Sequence, residues 1–330
     1  MEKEIVVTEP RQKYDFTPEE NGLYDVIIIG TGVVGWSSAM YCQRLGMKTL
    51  VVGEVKGGTI MMTHVVENYP GFVSLSGPEL AKRIENHAKD YDIDILNSKV
   101  EDIKSDKKSK DKRFTIKTKN KQFFSKTVIF ATGTKIKRLG VKGEMEFEHK
   151  GVSYCALCDG IFTKGKVVGV VGGSDSAVEE ALLLTKYAKK VYIIYRGEKV
   201  HPESPNMKRL EQSVKEGKIE VINNTNVKEI KGDKLVSGVT LDKPYKGKKE
   251  FPLDFLFIYV GRDPLSELAK KVGAKINKND EIIIDRNSKT NVIGFFAAGD
   301  VTDSHFKQAI TGVGEGVRAS FSAYECLNSC

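Results

Sequence analysis

The sequence predicts an α/β protein with two Rossmann-like, three-layer (ββα) nucleotide-binding domains. The stretch DVIIIGTGVVGWSSAMYCQRLGMKTLVVGE (25–54) reads as a strand, a glycine turn, a helix and a second strand. The same order returns in KVVGVVGGSDSAVEEALLLTKYAKKVYIIYRG (166–197). A chain of 330 residues, 40% apolar and 29% charged, is also large enough for two globular domains.

The first glycine turn has the pattern of a dinucleotide-binding loop. Gly30 allows the tight turn, Gly32 lets a pyrophosphate approach the backbone, and Gly35 lets the helix pack closely on the strand. The helix that follows offers unpaired N–H groups and a partial positive charge to the phosphates. We therefore predict dinucleotide binding here. Glu54, just past the strand at 49–52, is the acid expected to hold the ribose.

The second glycine turn departs from this pattern. It reads Gly172, Gly173, Ser174, Asp175, Ser176 and Ala177. Ser174 stands where the second glycine would let a pyrophosphate come close, and it adds both a side chain and a hydroxyl donor. Arg196, after the next strand, either pairs with a 2′-phosphate, which favours NADPH over NADH, or is a solvated arginine at a strand end.

The other segments read mostly as strands, followed by a C-terminal helix. Strand-like runs are FTIKT, QFF and TVIF within 114–130, IEVIN (219–223) and LDFLFIYVGRDP (253–264); EIIID (281–285) then leads through NVIGFFAAGDVTD. The predicted helix covers 307–330 and contains glycines at 312, 314 and 316. Because a helical glycine costs about 1 kcal/mol relative to alanine, we expect these glycines to mark close approach to a flat surface or another backbone.

Charge and hydropathy bear on partners and compartment. The net charge of +8 comes largely from lysine, and the densest cluster, IKSDKKSKDKRF (103–114), reads as a solvated hairpin rather than a nucleic-acid surface. No apolar run approaches the roughly 20 residues that span a bilayer, and the N-terminal pattern is not that of a secretion signal. We expect a cytosolic protein with no nucleic-acid or membrane partner.

A cysteine pair and an adjacent carboxylate stand in SYCALCDG (153–160). Cys155 and Cys158 favour a redox dithiol, because C-x-x-C spacing brings the sulfurs within bridging distance and favours the reactive thiolate. Asp159 is placed to donate or accept a proton during disulfide exchange.

Two other interpretations of this pair are weighed. Cys326 and Cys330 would complete a four-thiolate zinc site, although a C-x-x-x-C on a terminal helix is unusual for structural zinc. Two buried, inert thiols are the second alternative. With five cysteines in all, the chain is no disulfide scaffold. Cys42 is expected in the core, and Cys326 with Cys330 is interpreted as incidental.

Six motifs appear in a characteristic order. They are GTGVVG, GGTIMMTHVVENYPGF, ATGTKIKRLGVKGE, SYCALCDGIF, VVGGSDSAVEEA and AAGDVTDSHFKQAITGVGEG. Together they resemble the low-molecular-weight, bacterial and archaeal type of thioredoxin reductase, in the FAD-dependent pyridine nucleotide-disulfide oxidoreductase family. The resemblance runs from residue 24 to the C-terminus.

The resemblance implies domains and contacts. The FAD-binding domain is expected to comprise residues 1–135 and 263–330, including an N-terminal extension at 1–23. The NAD(P)H-binding domain, residues 136–262, is expected to be inserted into it and to carry the C-x-x-C pair. The implied FAD contacts are Gly30, Gly32, Gly35, Glu54, Asn68, Thr132, Gly133, Gly299, Asp300, Gln308 and Ala309. The implied NAD(P)H contacts are Gly172, Gly173, Ser174, Ser176, Ala177 and Arg196. The smaller domain of the family rotates, and we place its hinges at 134–137 and 261–264.

The implied activity is reduction of a thioredoxin- or glutaredoxin-like protein by NAD(P)H, through FAD and the Cys155–Cys158 dithiol, in a homodimer. NADPH is the expected donor. In the family a His-Arg-Arg run and a further arginine bind its phosphate, whereas this chain has Tyr195-Arg196-Gly197 and His201. NADH or another donor, such as reduced ferredoxin, is therefore an alternative. A flavin NAD(P)H oxidase and a non-enzymatic redox sensor are further alternatives.

Overall fold

The computed structural model describes residues 18–329, except 64, 107, 110 and 112. The strands are β1 Leu23–Ile29, β2 Thr49–Val52, β3 Asp94–Leu96, β4 Val100–Ser105, β5 Phe114–Thr118, β6 Gln122–Phe130, β7 Thr134–Ile136, β8 Val152–Ser153, β9 Val167–Val171, β10 Lys190–Ile194, β11 Ile219–Ile222, β12 Val227–Gly232, β13 Val236–Tyr245, β14 Lys248–Pro252, β15 Phe255–Ile258, β16 Arg262–Pro264 and β17 Phe295–Ala297. The α-helices are α1 Val33–Arg44, α2 Gly77–Ala88, α3 Ala156–Asp159, α4 Asp175–Leu184, α5 Ser204–Lys215, α6 Glu267–Lys271 and α7 Ala309–Ser329.

The described residues form two compact units. Unit 1 comprises the residues up to Lys135 together with those from Asp263, and unit 2 comprises Ile136–Arg262. The chain leaves unit 1 within β7 and returns within β16, and these two strands pair with each other. Unit 2 is therefore a continuous segment between two parts of unit 1. Most of the N-terminal extension, 1–17, lies outside the described residues.

Unit 1 is built on one mixed sheet with strand order β3-β2-β1-β6-β5-β4, and β17 also pairs with β6. Strands β3, β2, β1, β6 and β17 run parallel, while β4, β5 and β6 form an antiparallel meander. The last four residues of β1 are all buried, because a parallel strand is covered on both faces. Two separate apolar clusters lie on the two faces of this sheet.

Helices α1 and α7 of unit 1 pack against each other at glycines. A Cβ on Gly312 would lie 2.9 Å from Val34 Cγ2, and a Cβ on Gly316 would lie 2.6 Å from Ser38 Oγ. The expected close approach to another backbone is thus found at these two glycines. A Cβ on Gly314 would meet no atom of the described residues within 4 Å, so no other backbone approaches this glycine.

Unit 2 contains an all-parallel sheet, ordered β11-β10-β9-β15-β8, and an antiparallel sheet, β12-β13-β14. Its apolar residues form two clusters of their own. Strand β9 leads into the second glycine turn and α4, and β8 leads into the cysteine pair. Both sequence motifs of unit 2 therefore leave the carboxyl ends of parallel strands of one sheet, with β15 lying between β9 and β8. Ligand sites in open α/β sheets are found at this edge.

Local details refine the sequence expectations. The runs QFF and TVIF are one continuous strand, β6, and the lysine-rich segment joins the antiparallel pair β4–β5. Residues 281–285 make isolated bridges at Ile282 rather than a strand. Among the described residues, no helix has both the length and the apolar character needed to cross a membrane.

Candidate active site

The cysteine pair forms a disulfide across the start of α3, where Cys155 is the N-cap and Cys158 is the third residue of the helix. The Cα atoms of Cys155 and Cys158 are 5.3 Å apart. Cys155 is buried and Cys158 is exposed. We call residues 153–159 the redox turn. A bond that joins two sulfurs across one turn can be opened and reclosed without rearranging the sheet beneath it, which suits repeated dithiol–disulfide exchange.

Three hydrogen bonds organise the redox turn. The Cys155 N–H donates to Ser153 Oγ (3.1 Å), and the Ser153 hydroxyl donates to Asp159 Oδ2 (2.6 Å). The Cys158 N–H donates to Cys155 Sγ (3.1 Å). The carboxylate predicted as proton donor or acceptor is therefore linked through one buried serine to the backbone of Cys155. Sequence reasoning missed Ser153, although it stands two residues before the first cysteine.

Tyr259 holds the other side of the turn. Its hydroxyl accepts the Ala156 N–H at 2.8 Å. Burial, reinforced by the charge of Glu180, raises the pKa of Tyr259 well above its usual range, so the phenol is neutral. No signal near the cysteines could have pointed to this residue, because it lies a hundred positions away at the end of β15.

Glu180 of α4 is a buried carboxyl within the same unit. Its side chain is 7% exposed, and its Oε2 has no hydrogen-bond partner among the described residues. Burial, reinforced by the neighbouring charge of Glu179, raises the pKa of Glu180 to about 8. Arg262 acts in the opposite direction. Near neutral pH this group is therefore mainly the uncharged acid.

The first glycine turn, between β1 and α1, is shaped to receive a diphosphate. Gly30 has φ +127°, and a Cβ there would lie 2.1 Å from the Ala131 carbonyl oxygen. A Cβ on Gly35 would lie 1.9 Å from the Gly30 carbonyl oxygen. A Cβ on Gly32 would meet nothing closer than 3.7 Å, so the fold itself does not require this glycine. No side chain caps α1 and its first turn holds no acid, as a phosphate-binding helix terminus requires.

Several other residues expected near FAD come together in unit 1. Asn68 Nδ2 donates to Gln308 Oε1 at 3.1 Å, although the two are 240 positions apart. The Thr132 hydroxyl donates to the Leu265 carbonyl oxygen at 3.0 Å, beside Gly133. Glu54 is exposed, two residues beyond β2, and Ala309 is the first residue of α7. Of these residues, Thr132 is beside the glycine turn, since its backbone N lies 3.2 Å from where a Cβ on Gly30 would be. The glycine turn and the amide and hydroxyl groups of Asn68, Gln308 and Thr132 are of the kinds that bind a dinucleotide, so they fit FAD.

The segment 299–304, here called the Asp300 loop, is held from two sides. The Gly299 N–H donates to Glu315 Oε2 at 2.8 Å. Lys307 Nζ donates to the Asp300 carbonyl oxygen at 2.9 Å and also pairs with Glu281. Sequence reasoning named Gly299 and Asp300 but missed Glu315, which looks like any acid on a surface helix.

The second glycine turn, between β9 and α4, fits a diphosphate less well than the first. Gly172 is required by the fold, since a Cβ there would lie 2.3 Å from the Tyr259 carbonyl oxygen. Ser174 is the N-cap of α4, and Asp175 places an acid in its first turn. The Asp175 carboxylate accepts the Glu203 N–H at 2.8 Å. A negative charge at this terminus opposes an incoming phosphate.

Tyr195 fills the space above this turn. Its ring atoms lie where side chains on Gly173 and Gly197 would be, 2.5 and 2.6 Å from the two Cβ positions. His201 closes over it, with its N–H donating to the Gly173 carbonyl oxygen at 2.8 Å and its Nδ1 3.3 Å from the Tyr195 hydroxyl. Arg196 is exposed beside them. Ser176 and Ala177 lie in the first turn of α4.

Cys42 and Cys326 belong to unit 1, whereas the redox turn belongs to unit 2. Cys42 is buried, and burial raises the pKa of its thiol to about 12, so it is inert core. Cys326 is a buried cysteine of unit 1 whose Sγ lies 3.9 Å from Arg113 Nη1, and Cys330 lies outside the described residues. Within the described ranges, no group of three or more His, Cys, Asp or Glu side chains is placed to hold a metal ion.

Comparison with known proteins identifies the family. Residues 24–316 match the model of the pyridine nucleotide-disulphide oxidoreductases. The chain belongs to this family. It is 39% identical over 308 residues to the thioredoxin reductase of Bacillus subtilis (strain 168), covering 92% of this chain and 94% of the relative.

Solved structures of the same type are also similar. The thioredoxin reductase of Lactococcus lactis matches with a TM-score of 0.86 and 36% identity over 93% of this chain and 100% of that one. That of T. acidophilum matches with a TM-score of 0.84 and 38% identity over 93% and 99%. The predicted resemblance, fold class and oxidoreductase activity are thereby confirmed. The enzyme is an oxidoreductase of the thioredoxin reductase type, in a family that uses FAD and a nicotinamide nucleotide. The roles of its individual site residues remain predictions.

Proposed function

We propose that this enzyme reduces the disulfide of a small thioredoxin- or glutaredoxin-like protein with the Cys155–Cys158 dithiol. The observation that carries the proposal is the disulfide itself, held in the redox turn with the Asp159 carboxylate linked through Ser153 to the Cys155 backbone. We further propose that it acts as a homodimer in the cytosol.

We propose that unit 1 binds FAD and that unit 2 is the NAD(P)H-binding domain, joined by hinges at 134–137 and 261–264. The open glycine turn, the uncapped start of α1 and the Asn68–Gln308 pair support FAD in unit 1. Bound FAD supplies a carrier of two electrons between a nicotinamide and a disulfide.

The chain's own residues complete the exchange. Two electrons break the Cys155–Cys158 bond and leave one thiolate and, after uptake of one proton, one thiol. The thiolate attacks a sulfur of the partner disulfide, forming a mixed disulfide and expelling the partner's second sulfur as a thiolate. The remaining enzyme thiol, deprotonated, attacks the enzyme's own sulfur in the mixed disulfide. This restores the Cys155–Cys158 bond and expels the partner's first sulfur as a thiolate, so the partner leaves as a dithiol after protonation. Asp159 donates and accepts the protons that these sulfurs exchange.

We propose NADPH as the electron donor, with Arg196 as the contact to its 2′-phosphate. The exposed guanidinium stands two positions after β10, as Glu54 stands two positions after β2. An arginine in place of a ribose-binding acid favours a phosphorylated ribose. With one guanidinium rather than three, discrimination against NADH is expected to be weak.

A second candidate for the source of electrons is a donor other than a nicotinamide nucleotide. The Asp175 carboxylate in the first turn of α4 and the Tyr195 ring across Gly173 favour it, because both oppose a diphosphate at this turn. Anaerobic titration of the yellow holoenzyme distinguishes the candidates. Flavin bleaching by NADPH at micromolar concentration supports the first, and no bleaching at millimolar NADPH or NADH supports the second.

Disulfide reduction is tested separately from the donor. With flavin reduced chemically under anaerobic conditions, the wild-type enzyme is expected to reduce a thioredoxin disulfide, and Cys155→Ser and Cys158→Ser variants are expected to lose this reaction. Cys326→Ser, which removes a thiol from unit 1, is the control and should keep it. Full thioredoxin reduction by Cys155→Ser would contradict the proposal.

A further inference from the structure

The side chain of Glu315 lies inside unit 1 next to the Asp300 loop. Glu315 belongs to the second turn of α7 and is 4% exposed. Its Oε2 accepts the Gly299 N–H at 2.8 Å, and its Oε1 accepts the Ser304 hydroxyl. Both firm hydrogen bonds to this carboxylate therefore come from the two ends of one six-residue loop.

The Thr302 hydroxyl lies near Glu315 but does not donate its hydrogen bond to this carboxylate. Its hydroxyl lies 2.8 Å from the Gly299 carbonyl oxygen and 3.3 Å from Glu315 Oε2. A hydroxyl has one proton, so the nearer carbonyl takes it. Thr302 therefore makes a hydrogen bond within the Asp300 loop, to Gly299, and Glu315 joins the loop to α7.

The opposite side of the Asp300 loop is attached through Lys307. Its ammonium group donates to the Asp300 carbonyl oxygen at 2.9 Å and pairs with Glu281. Glu315 therefore holds the peptide unit that joins Ala298 to Gly299, and Lys307 holds the one that joins Asp300 to Val301. The position of the Asp300 carboxylate depends on both.

A buried carboxylate is stable only while donors satisfy it. Since the firm donors to Glu315 are groups of the Asp300 loop, displacing the loop would leave an unpaired charge in the interior of unit 1. The Asp300 loop is therefore restricted to fewer backbone conformations than the sequence GDVTDS would adopt by itself.

We propose that Glu315 is a positioning residue for FAD, which fixes the Asp300 loop in the conformation that binds the cofactor. The proposal rests on the proposed binding of FAD by unit 1. Glu315 need not touch FAD, because it acts through Gly299 and Ser304.

The test measures FAD binding to the full chain after removal of bound flavin, by quenching of flavin fluorescence. Glu315→Leu removes the acceptor at similar volume and is expected to raise the Kd for FAD by about 10- to 100-fold. Glu315→Gln is expected to stay within about threefold of wild type, because the amide oxygen can still accept the Gly299 N–H and the amide nitrogen can donate to Ser304 Oγ.

Ser322→Ala is the matched control for a lost buried hydrogen bond in α7. The Ser322 hydroxyl donates to the Asn287 carbonyl oxygen at 2.7 Å and does not contact the Asp300 loop. We expect it to lower the Tm of the flavin-free protein while leaving the Kd for FAD and the rise in Tm on FAD addition unchanged. Glu315→Leu should lose most of that rise.

The outcomes separate cleanly. Wild-type Kd values in folded Glu315→Leu would overturn the proposal, as would an equal loss of FAD affinity in Ser322→Ala. If Glu315→Leu does not fold, Ser304→Ala replaces it, with a several-fold higher Kd supporting the proposal and an unchanged Kd overturning it. A wild-type chain that binds no FAD would instead contradict the proposed function of unit 1.

Discussion

The backbone donors of the redox turn are distributed unequally between its two sulfurs. The N–H groups of Cys155 and Ala156 are taken up by Ser153 and Tyr259, whereas the Cys158 N–H points at Cys155 Sγ. Negative charge that appears when the disulfide opens therefore meets a donor at Cys155. The redox turn therefore stabilises negative charge on the buried Cys155 Sγ by the hydrogen bond from the Cys158 N–H.

The Asp159→Asn substitution removes the titratable group but keeps an oxygen that can accept the Ser153 hydroxyl, so it tests proton transfer. We expect Asp159→Asn to slow reduction of a thioredoxin disulfide by about 100-fold or more, the usual contribution of a positioned acid or base. Ser153→Ala, which keeps the carboxylate but removes its hydroxyl partner, should have a smaller effect. Steady-state rates at matched FAD content are the measurement. An Asp159→Asn variant with the wild-type rate would exclude the carboxylate from the reaction.

Glu180 makes the stability of unit 2 depend on pH. Its pKa is raised from 4.5 to about 8 by burial and by Glu179. Between these values the native protein holds a proton that the unfolded chain releases, so stability falls as pH rises. Glu180→Gln cannot lose this proton. The Tm difference, variant minus wild type, should therefore grow by about 5 °C between about pH 5 and about pH 8. Parallel Tm–pH curves for the two proteins would show that Glu180 is ionised throughout.

At the scale of an element, the three glycines of the first turn have different reasons for being glycine. Gly35 serves the packing of α1 on β1, since a Cβ there would lie 1.9 Å from a carbonyl oxygen. A Cβ on Gly32 would make only ordinary van der Waals contacts, the nearest at 3.7 Å. We expect Gly32→Ala to keep the Tm of the flavin-free protein and lose FAD affinity at least about tenfold. Gly35→Ala should lower that Tm itself. Calorimetry with and without FAD distinguishes the two effects. Normal FAD binding by Gly32→Ala would contradict the proposal that the diphosphate of FAD binds at this turn.

The sequence allowed both glycine turns, the redox cysteines and the C-terminal helix to be predicted, because each depends on residues close together in the chain. Ser153 is also close to the cysteines in the sequence, but serine occurs in so many structural contexts that its role here could not be predicted. Tyr259 and Glu315 could not be found, since each acts on a segment brought to it only by the fold. In the sequence, Tyr195 stands where the family has a histidine, but its packing across Gly173 depends on the fold.

For the whole molecule, the paired strands β7 and β16 make unit 2 an insertion whose two ends meet. The Lys137 N–H donates to the Gly261 carbonyl oxygen at 3.1 Å. Because unit 2 has its own apolar clusters and adjacent ends, we expect a fragment of residues 136–262 to fold with the Cys155–Cys158 disulfide intact. Circular dichroism and thiol titration measure this. An unfolded fragment would mean that unit 2 depends on unit 1 for stability.

The close packing of α1 on α7 links the first cofactor-binding turn to the end of the chain. Val34 and Ser38 of α1 lie against Gly312 and Gly316, and Glu315 stands between these two glycines. Any loosening of the start of α1 or of the Asp300 loop must therefore be transmitted to α7. Amide hydrogen exchange along the C-terminal helix should be slow when FAD is bound and faster when it is removed, so the last helix of the chain would serve as an internal gauge of flavin occupancy.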